Sequence, residues 1–241
     1  MFSYDSQLLA LLQAPPVSVA DVLATMRSID ALTVNEDGLK WFNWLYWQVT
    51  QAVETRIEAG GFTDAAFLAA LDVQFAELYF SALRDSLSGQ PLPECWETLF
   101  ARRGDVRLAR IQCAMAGINA HINHDLPLAI VATCQAGGLV PQHGTAQYAD
   151  YTNLNTNLDA LIEEAKQTLN VRLPGDALPP VTHVEDVIAA WSLSAAREAA
   201  WNNAEILWHL EGTPLLTRGF GNTLDGLATV VSKSLLVPIV V

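Results

Sequence analysis

The chain has 241 residues, 51 % of them apolar and 16 % charged, which is enough apolar side chain for one substantial core. Its 26 acidic against 13 basic residues give a formal net charge of −13, which excludes a general nucleic-acid binder because phosphate neutralisation needs a basic surface. No run has the unbroken apolar length of a transmembrane helix, the start MFSYDSQLLALLQAPP lacks the basic residue of a secretory signal, and Cys95, Cys113 and Cys134 are scattered and odd in number; a cytoplasmic protein without a membrane partner or a disulfide framework is expected.

The periodicity is helical almost throughout. A short helix over Gln7–Gln13 stops at Pro15-Pro16, and Ser18 is placed to cap a second that runs to about Ile29. Trp41, Phe42, Leu45, Tyr46, Val49 and Val53 form an apolar stripe that ends at Gly60-Gly61. Thr63 or Asp64 opens the next helix, which buries Phe67, Leu68, Leu71, Phe75, Tyr79 and Leu83. A loop with Gly89, Pro91 and Pro93 leads to CWETLF. A longer helix follows over Val106–Leu126, which Pro127 continues to Gln135. Two more patterned segments, Thr145–Leu169 and Val184–Leu210, are separated by a Pro- and Gly-rich loop from Pro174 to Pro180. The expected fold is an all-α single-domain bundle of about eight helices over 1–241, with an N-terminal helical segment 1–35 and a tail 212–241 that packs on the core, its last residues, 234–241, docking there or on a partner subunit.

Polar residues interrupt this pattern at a few places. In GINAHINHDLP, His121, His124 and Asp125 fall within about one helical turn and are flanked by Asn119 and Asn123. Imidazole nitrogen and carboxylate oxygen suit iron, zinc or manganese, whereas the plainer reading is a kinked helix whose polar groups satisfy one another. A buried carboxylate is costly unless paired or bound to a cation, and Asp72 and Asp150 both fall on apolar faces. Glu77 reads as solvent-facing. Asp37 precedes a strongly apolar helix, where N-capping and ligation are equal alternatives. Asp37, Asp72, His121, His124, Asp125 and Asp150 are thus the candidate metal ligands, and four carboxylates with two imidazoles would suit two divalent cations better than one. Asn43, Tyr46 and Asn123 are candidate donors around them.

Arg102, Arg103, Arg107 and Arg110 bring four of the thirteen basic residues into nine positions. They could bind a phosphorylated ligand, or form a solvated or subunit ion-pair patch. Glu205 and His209 share a face near Trp201 and Trp208 and read as structural or pocket-lining. Arg197 either holds a buried carboxylate or is exposed. His143 and His183 read as surface loop residues. No GxSxG elbow, HExxH motif, Glu-x-x-His pair or phosphate-binding glycine loop is present.

The runs DGLKWFNWLYWQVT, LDVQFAELYFSAL, GINAHINHDLPLA and AREAAWNNAEILW, spread from Asp37 to Trp208, resemble an actinobacterial family of all-helical proteins known mainly as a domain of unknown function. The NAHINHDL run is the most specific of them. The chain is also similar to the dinuclear-iron acyl-CoA thioesterases of diterpenoid antibiotic (platensimycin and platencin) biosynthesis. That resemblance implies two divalent ions, iron favoured over zinc or manganese, and hydrolysis of a diterpenoid-type acyl-CoA by metal-bound hydroxide. It carries directly onto His121, His124 and Asp125, and less distinctively onto Asp37, Asp72 and Asp150. The substrate would then meet Trp41 and Arg102, Arg103, Arg107 and Arg110, and the oxyanion would meet Asn43, Tyr46 or Asn123. Alternatives are a di-iron oxygenase and a non-enzymatic helical binding protein; a homodimer is a further expectation.

Overall fold

Ser18 and Asp64 each accept a hydrogen bond from the backbone N–H three residues on, so two of the helix starts rest on the side chains that the sequence marks for them. The computed structural model describes residues 2–170 and 191–238. These form helices α1 (Asp5–Leu11), α2 (Val19–Leu32), α3 (Gly38–Glu58), α4 (Ala65–Ser88), α5 (Glu94–Phe100), α6 (Arg110–Ala120), a π-helical turn (His121–Asp125), α7 (Leu126–Gly137), α8 (Ala146–Asn153), α9 (Asn155–Asn170), α10 (Leu193–His209) and α11 (Pro214–Leu235). Because α6, the π turn and α7 run on without a break, and α8 and α9 are separated by Leu154 alone, the described residues make nine rods and no strand. The expected all-α fold is the observed one. His183, the loop 174–180 and residues 184–190 of the last patterned segment lie outside the described residues.

The α6–π–α7 rod runs through the middle of the bundle. Every residue of α6 except Arg110 is buried, whereas α3 and α4 bury only one side each against it. Ala114, Ala116 and Ala120 let neighbouring helices come close, and Gly117 seats the ring of Phe42 from α3. Among the described residues only α4 is long and apolar enough to cross a membrane, and half of its apolar window is buried within the bundle. One core joins residues from Tyr4 to Leu236, so the two ends of the chain share it.

Residues 212–241 were expected as a tail, yet residues 214–235 form a helix despite Gly219, Gly221 and Gly226. Pro214 sits in its first turn, where a missing N–H costs nothing. Packing supplies what propensity lacks. The Asn119 amide donates to Ala228 O at 2.7 Å and to Ser232 Oγ at 2.9 Å. Asp225 accepts from Glu94 N at 3.0 Å and Cys95 N at 2.9 Å, so α11 caps the start of α5.

Candidate active site

The site begins with Pro127. A proline ring within a helix clashes with the carbonyl four residues earlier and lacks an N–H to donate. The chain widens just before it: Leu126 N donates to His121 O, a five-residue rather than four-residue ladder bond. In this turn His121 Nδ1 lies 2.9 Å from Asp125 Oδ2, and His124 Nδ1 lies 2.7 Å from Asp125 Oδ1. Trp96 in α5 donates its indole N–H to Asp125 Oδ2 at 2.9 Å. One carboxylate thus receives two imidazoles and an indole, and all three residues of the turn's polar cluster are buried. Sequence reasoning passed over Trp96; the signal was an indole N–H in an apolar helix, which requires a buried acceptor.

Burial alone would raise the Asp125 carboxyl, but the hydrogen bonds and charge from His121 and His124 hold it below the usual carboxylate range. For His121 burial prevails and its pKa is lowered, so the ring is held neutral. For His124 burial is outweighed by the bond to Asp125, and its pKa is raised. Since His121 Nδ1 donates to Asp125, Nε2 keeps the lone pair, and this nitrogen is buried without any partner.

Around His121 stand aromatic side chains from α3, α4 and α5. The Phe75 ring lies flat on it, centroids 3.5 Å apart and 3° from parallel. Tyr46 meets it edge-on at 4.4 Å and Phe42 at 5.8 Å. Phe75 is half-buried, so one face covers His121 while the side chain reaches solvent. Phe75 lies three residues after Asp72, on the same side of α4. That spacing was the available signal for it.

Several polar atoms here lack partners. The hydroxyls of Tyr46 and Thr50 and Asp72 Oδ2 are buried and unbonded, like His121 Nε2. Thr50 is close enough to act on the Tyr46 hydroxyl but makes no hydrogen bond to it. Burial, then the charge of Asp72, raises the Tyr46 phenol. Burial, then the charge of Glu54, pushes the Asp72 carboxyl up to about 7. Tyr46, Thr50 and Glu54 recur every four residues on α3, a polar row that alternation of apolar residues hid.

The other expected site residues are engaged elsewhere. Asp37 caps α3 through Leu39 N at 2.9 Å, accepts from the Tyr4 hydroxyl at 2.9 Å and pairs with Arg103 at 3.2 Å. Capping, not ligation, is the role its geometry serves. Asp150 accepts from Thr63 N at 3.0 Å and Asp64 N at 2.6 Å and so ties α8 to the start of α4. Asn43 donates to Met26 O at 2.8 Å and accepts from the Tyr79 hydroxyl at 3.3 Å, pinning α2 rather than facing His121. Asn123 donates to Asn119, which holds α11.

The arginines of the cluster are engaged within the protein, Arg103 buried and Arg107 exposed. Arg102 bonds Leu236 O and Asp105, Arg103 pairs with Asp5 and Asp37, and Arg107 grips Asp105 from two nitrogens. Arg110 stacks over Trp41 at 4.6 Å. Trp41 itself is half-buried and donates to Asn35 O at 3.0 Å. Arg102, Arg103 and Arg107 therefore enter binding of a phosphorylated ligand only by surrendering these ion pairs.

Glu77, expected to face solvent, is half-buried and pairs with Arg84 at 3.5 Å. Arg197 takes neither expected role: it is buried, donating to Asn155 Oδ1 and Tyr151 O while stacking on the Tyr151 ring at 4.0 Å. Glu205, Trp208 and His209 line a shallow surface depression with Val140, Pro141 and Gln142. Nearby, His143 lies between Glu205 at 2.6 Å and Glu198 at 3.1 Å, which raises its pKa. A raised folded-state pKa contributes stability below the unfolded value and loses it as pH rises through the folded value. His143→Gln is accordingly expected to lower Tm by about 1–2 °C at pH 5.5 and by nothing at pH 9, because an exposed ion pair contributes well under ~1 kcal/mol; differential scanning fluorimetry across pH measures it.

Among the described residues no group of three or more His, Cys, Asp or Glu side chains converges to hold a metal ion. Of the six expected ligands, Asp37 and Asp150 serve as backbone caps and Asp125 is saturated by three donors, so the set does not fit a dinuclear centre in this arrangement. Among those six, His121 and Asp72 each keep a buried atom without a partner, Nε2 and Oδ2, and the Tyr46 hydroxyl stands beside His121. Compared with known proteins, residues 19–238 match the model of a family of unknown function (DUF5995). No curated protein and no solved structure matches the chain.

Proposed function

The chain belongs to DUF5995, a family of unknown function, and from its His121–Asp125 centre we propose that it is a hydrolase acting on a large apolar acyl thioester. The supporting observation is a neutral imidazole, anchored through Nδ1 by a buried carboxylate, whose Nε2 is buried and unbonded amid aromatic rings. Asp125 fixes the tautomer, and Trp96 and His124 fix Asp125. His121 Nε2 takes the proton of the attacking water, and Asp125 stabilises the imidazolium formed. The Tyr46 hydroxyl donates to the carbonyl oxygen as that oxygen gains charge. A thiolate departs without a strong general acid. Phe42, Phe75 and Tyr79 exclude bulk water and present an apolar wall to the acyl group.

The family resemblance implies two divalent ions, with iron favoured over zinc or manganese, which would supply a Lewis acid and an acidified water, but the expected ligands do not fit a dinuclear centre in this arrangement. His121 Nε2 and Asp72 Oδ2 are the unpartnered buried atoms among those ligands, and the proposed hydrolysis depends on no ion. The CoA thioester of the acyl group is the proposed substrate form.

The test is thiol release from CoA thioesters graded from acetyl to long-chain and polycyclic acyl groups, with and without added iron(II), zinc or manganese. Turnover that rises with apolar size is expected; none across the panel under all conditions overturns the proposal. Removing the Phe75 ring opens the face of His121, so Phe75→Ala is expected to raise kcat/KM for the largest acyl group about tenfold over the smallest. A second reading rests on the saturation of Asp125: the cluster is then a structural clasp that holds α5 to the central rod. That reading predicts folded variants at His121 that are less stable and a protein without turnover.

A further inference from the structure

The outer face of α11 carries more large apolar side chains than the face that it buries. Inward it presents Leu224, Ala228, Thr229, Ser232 and Leu235, two of them hydroxyl residues. Outward, Leu215, Leu216, Leu227, Val230, Val231 and Val237 are 81, 56, 63, 67, 39 and 53 % exposed. Six of the eleven large apolar side chains exposed among the described residues thus belong to this one helix and the residues after it. A contiguous patch of this kind marks a binding surface on an otherwise polar exterior.

We infer that the α11 faces of two copies of this chain pack antiparallel, making a two-fold symmetric dimer. Three features name a second copy as the occupant. The first is spacing. Leu216, Phe220, Thr223, Leu227, Val230 and Ser234 alternate steps of four and three, the pattern of a helix seam. This row is self-complementary about residue 225: an antiparallel partner sets Leu216 against Ser234, Phe220 against Val230, and Thr223 against Leu227. A two-fold contact requires that property.

The second is charge. A protein of net charge −13 repels its own copies over most of its surface. No charged side chain lies in the row, and Asp225, the acid nearest it, points inward to cap α5. Lys233 flanks the row and is neutralised by Glu94 at 2.6 Å. Self-association therefore meets no like charges here. The row itself offers an anionic lipid surface no cation, since the exposed Arg218 lies outside it.

The third is area. The six outward side chains expose on the order of 400 Å² of apolar surface, taking the area per side chain that their transfer free energies imply. A standard homodimer half-interface of ~800 Å² is ~65 % apolar, or roughly 500 Å². The helix therefore supplies most of the apolar core of such an interface, and Gly219 and Gly226, with open space around them, let the two backbones approach.

The inference is independent of the proposed activity. Its test is multi-angle light scattering and sedimentation velocity on the full chain from about 2 to 200 µM. The wild type is expected to move from monomer to dimer across this range. Leu227→Glu is expected to shift the midpoint at least 30-fold towards monomer with its circular dichroism spectrum unchanged. Val17→Glu, at a still more exposed apolar position distant from α11 in sequence, is expected to dimerise as the wild type does. A wild type that stays monomeric at 200 µM overturns the inference, as does a dimer that Leu227→Glu leaves intact. Binding of monomeric protein to phosphatidylcholine vesicles, lost in Leu227→Glu, overturns it in favour of a lipid surface.

Discussion

Asp125→Ala is expected to destabilise the protein by about 3–5 kcal/mol, because it strands two imidazoles and an indole N–H that share one buried acceptor. Asp125→Asn separates structure from chemistry. Its amide oxygen can keep the place of Oδ2, where His121 and Trp96 both donate, and its amide nitrogen can face His124, which then accepts. The expected loss of stability is ~1–2 kcal/mol. The negative charge that stabilises a protonated His121 is nevertheless gone. Thioester hydrolysis is therefore expected to fall about 10²–10⁴-fold, the range of general-base assistance. Chemical denaturation measures the first effect and thiol release the second. A folded Asp125→Asn protein with wild-type turnover would show that the clasp is structural only.

The second large effect is expected at Gly117. A β-carbon there would stand 2.7 Å from Phe42 Cβ, an atom fixed to the α3 backbone rather than the far end of a flexible chain. Phe42 is fully buried, with edge contacts to Tyr79, Trp96 and His121, so it has nowhere to turn. Gly117→Ala gains ~1 kcal/mol of helix propensity and loses more by forcing the two helices apart, for a net cost of about 2–3 kcal/mol. That corresponds to a Tm lower by roughly 5–10 °C for a chain of this size. Because the closest atoms are those of the Phe42 ring, the double variant Gly117→Ala/Phe42→Ala, which removes the ring atoms nearest the new β-carbon, is expected to be more stable than additivity predicts, by at least ~1 kcal/mol. Strict additivity would place the cost elsewhere.

These two positions also mark where the sequence was legible. His121, His124 and Asp125 lie within five residues, so helix geometry alone brings them together, and Pro127 marks the place where the rod must widen. Caps were legible for the same reason: Ser18 and Asp64 act on backbone three residues away. What the sequence hid is long-range. Nothing local to Trp96 says that its N–H reaches Asp125, 29 positions on. Nothing near Arg103 says that Asp5 and Asp37 will neutralise it, so a buried structural cation read as a phosphate ligand. Asp37 and Asp150 read as ligands because burial of a carboxylate was correctly inferred, while the backbone amides that satisfy them were out of sight. The helix α11 was missed because three glycines lower its propensity, and partners on α5 and α6 restore it.

The proposed hydrolysis depends on one atom, His121 Nε2, buried and unbonded at the end of an anchored ring. The most direct measurement is thiol release from the best apolar acyl-CoA at pH 7 by wild type and His121→Gln, each shown folded by circular dichroism. A loss of at least ~100-fold is expected, the lower end of general-base assistance. Equal rates in the two proteins would contradict it.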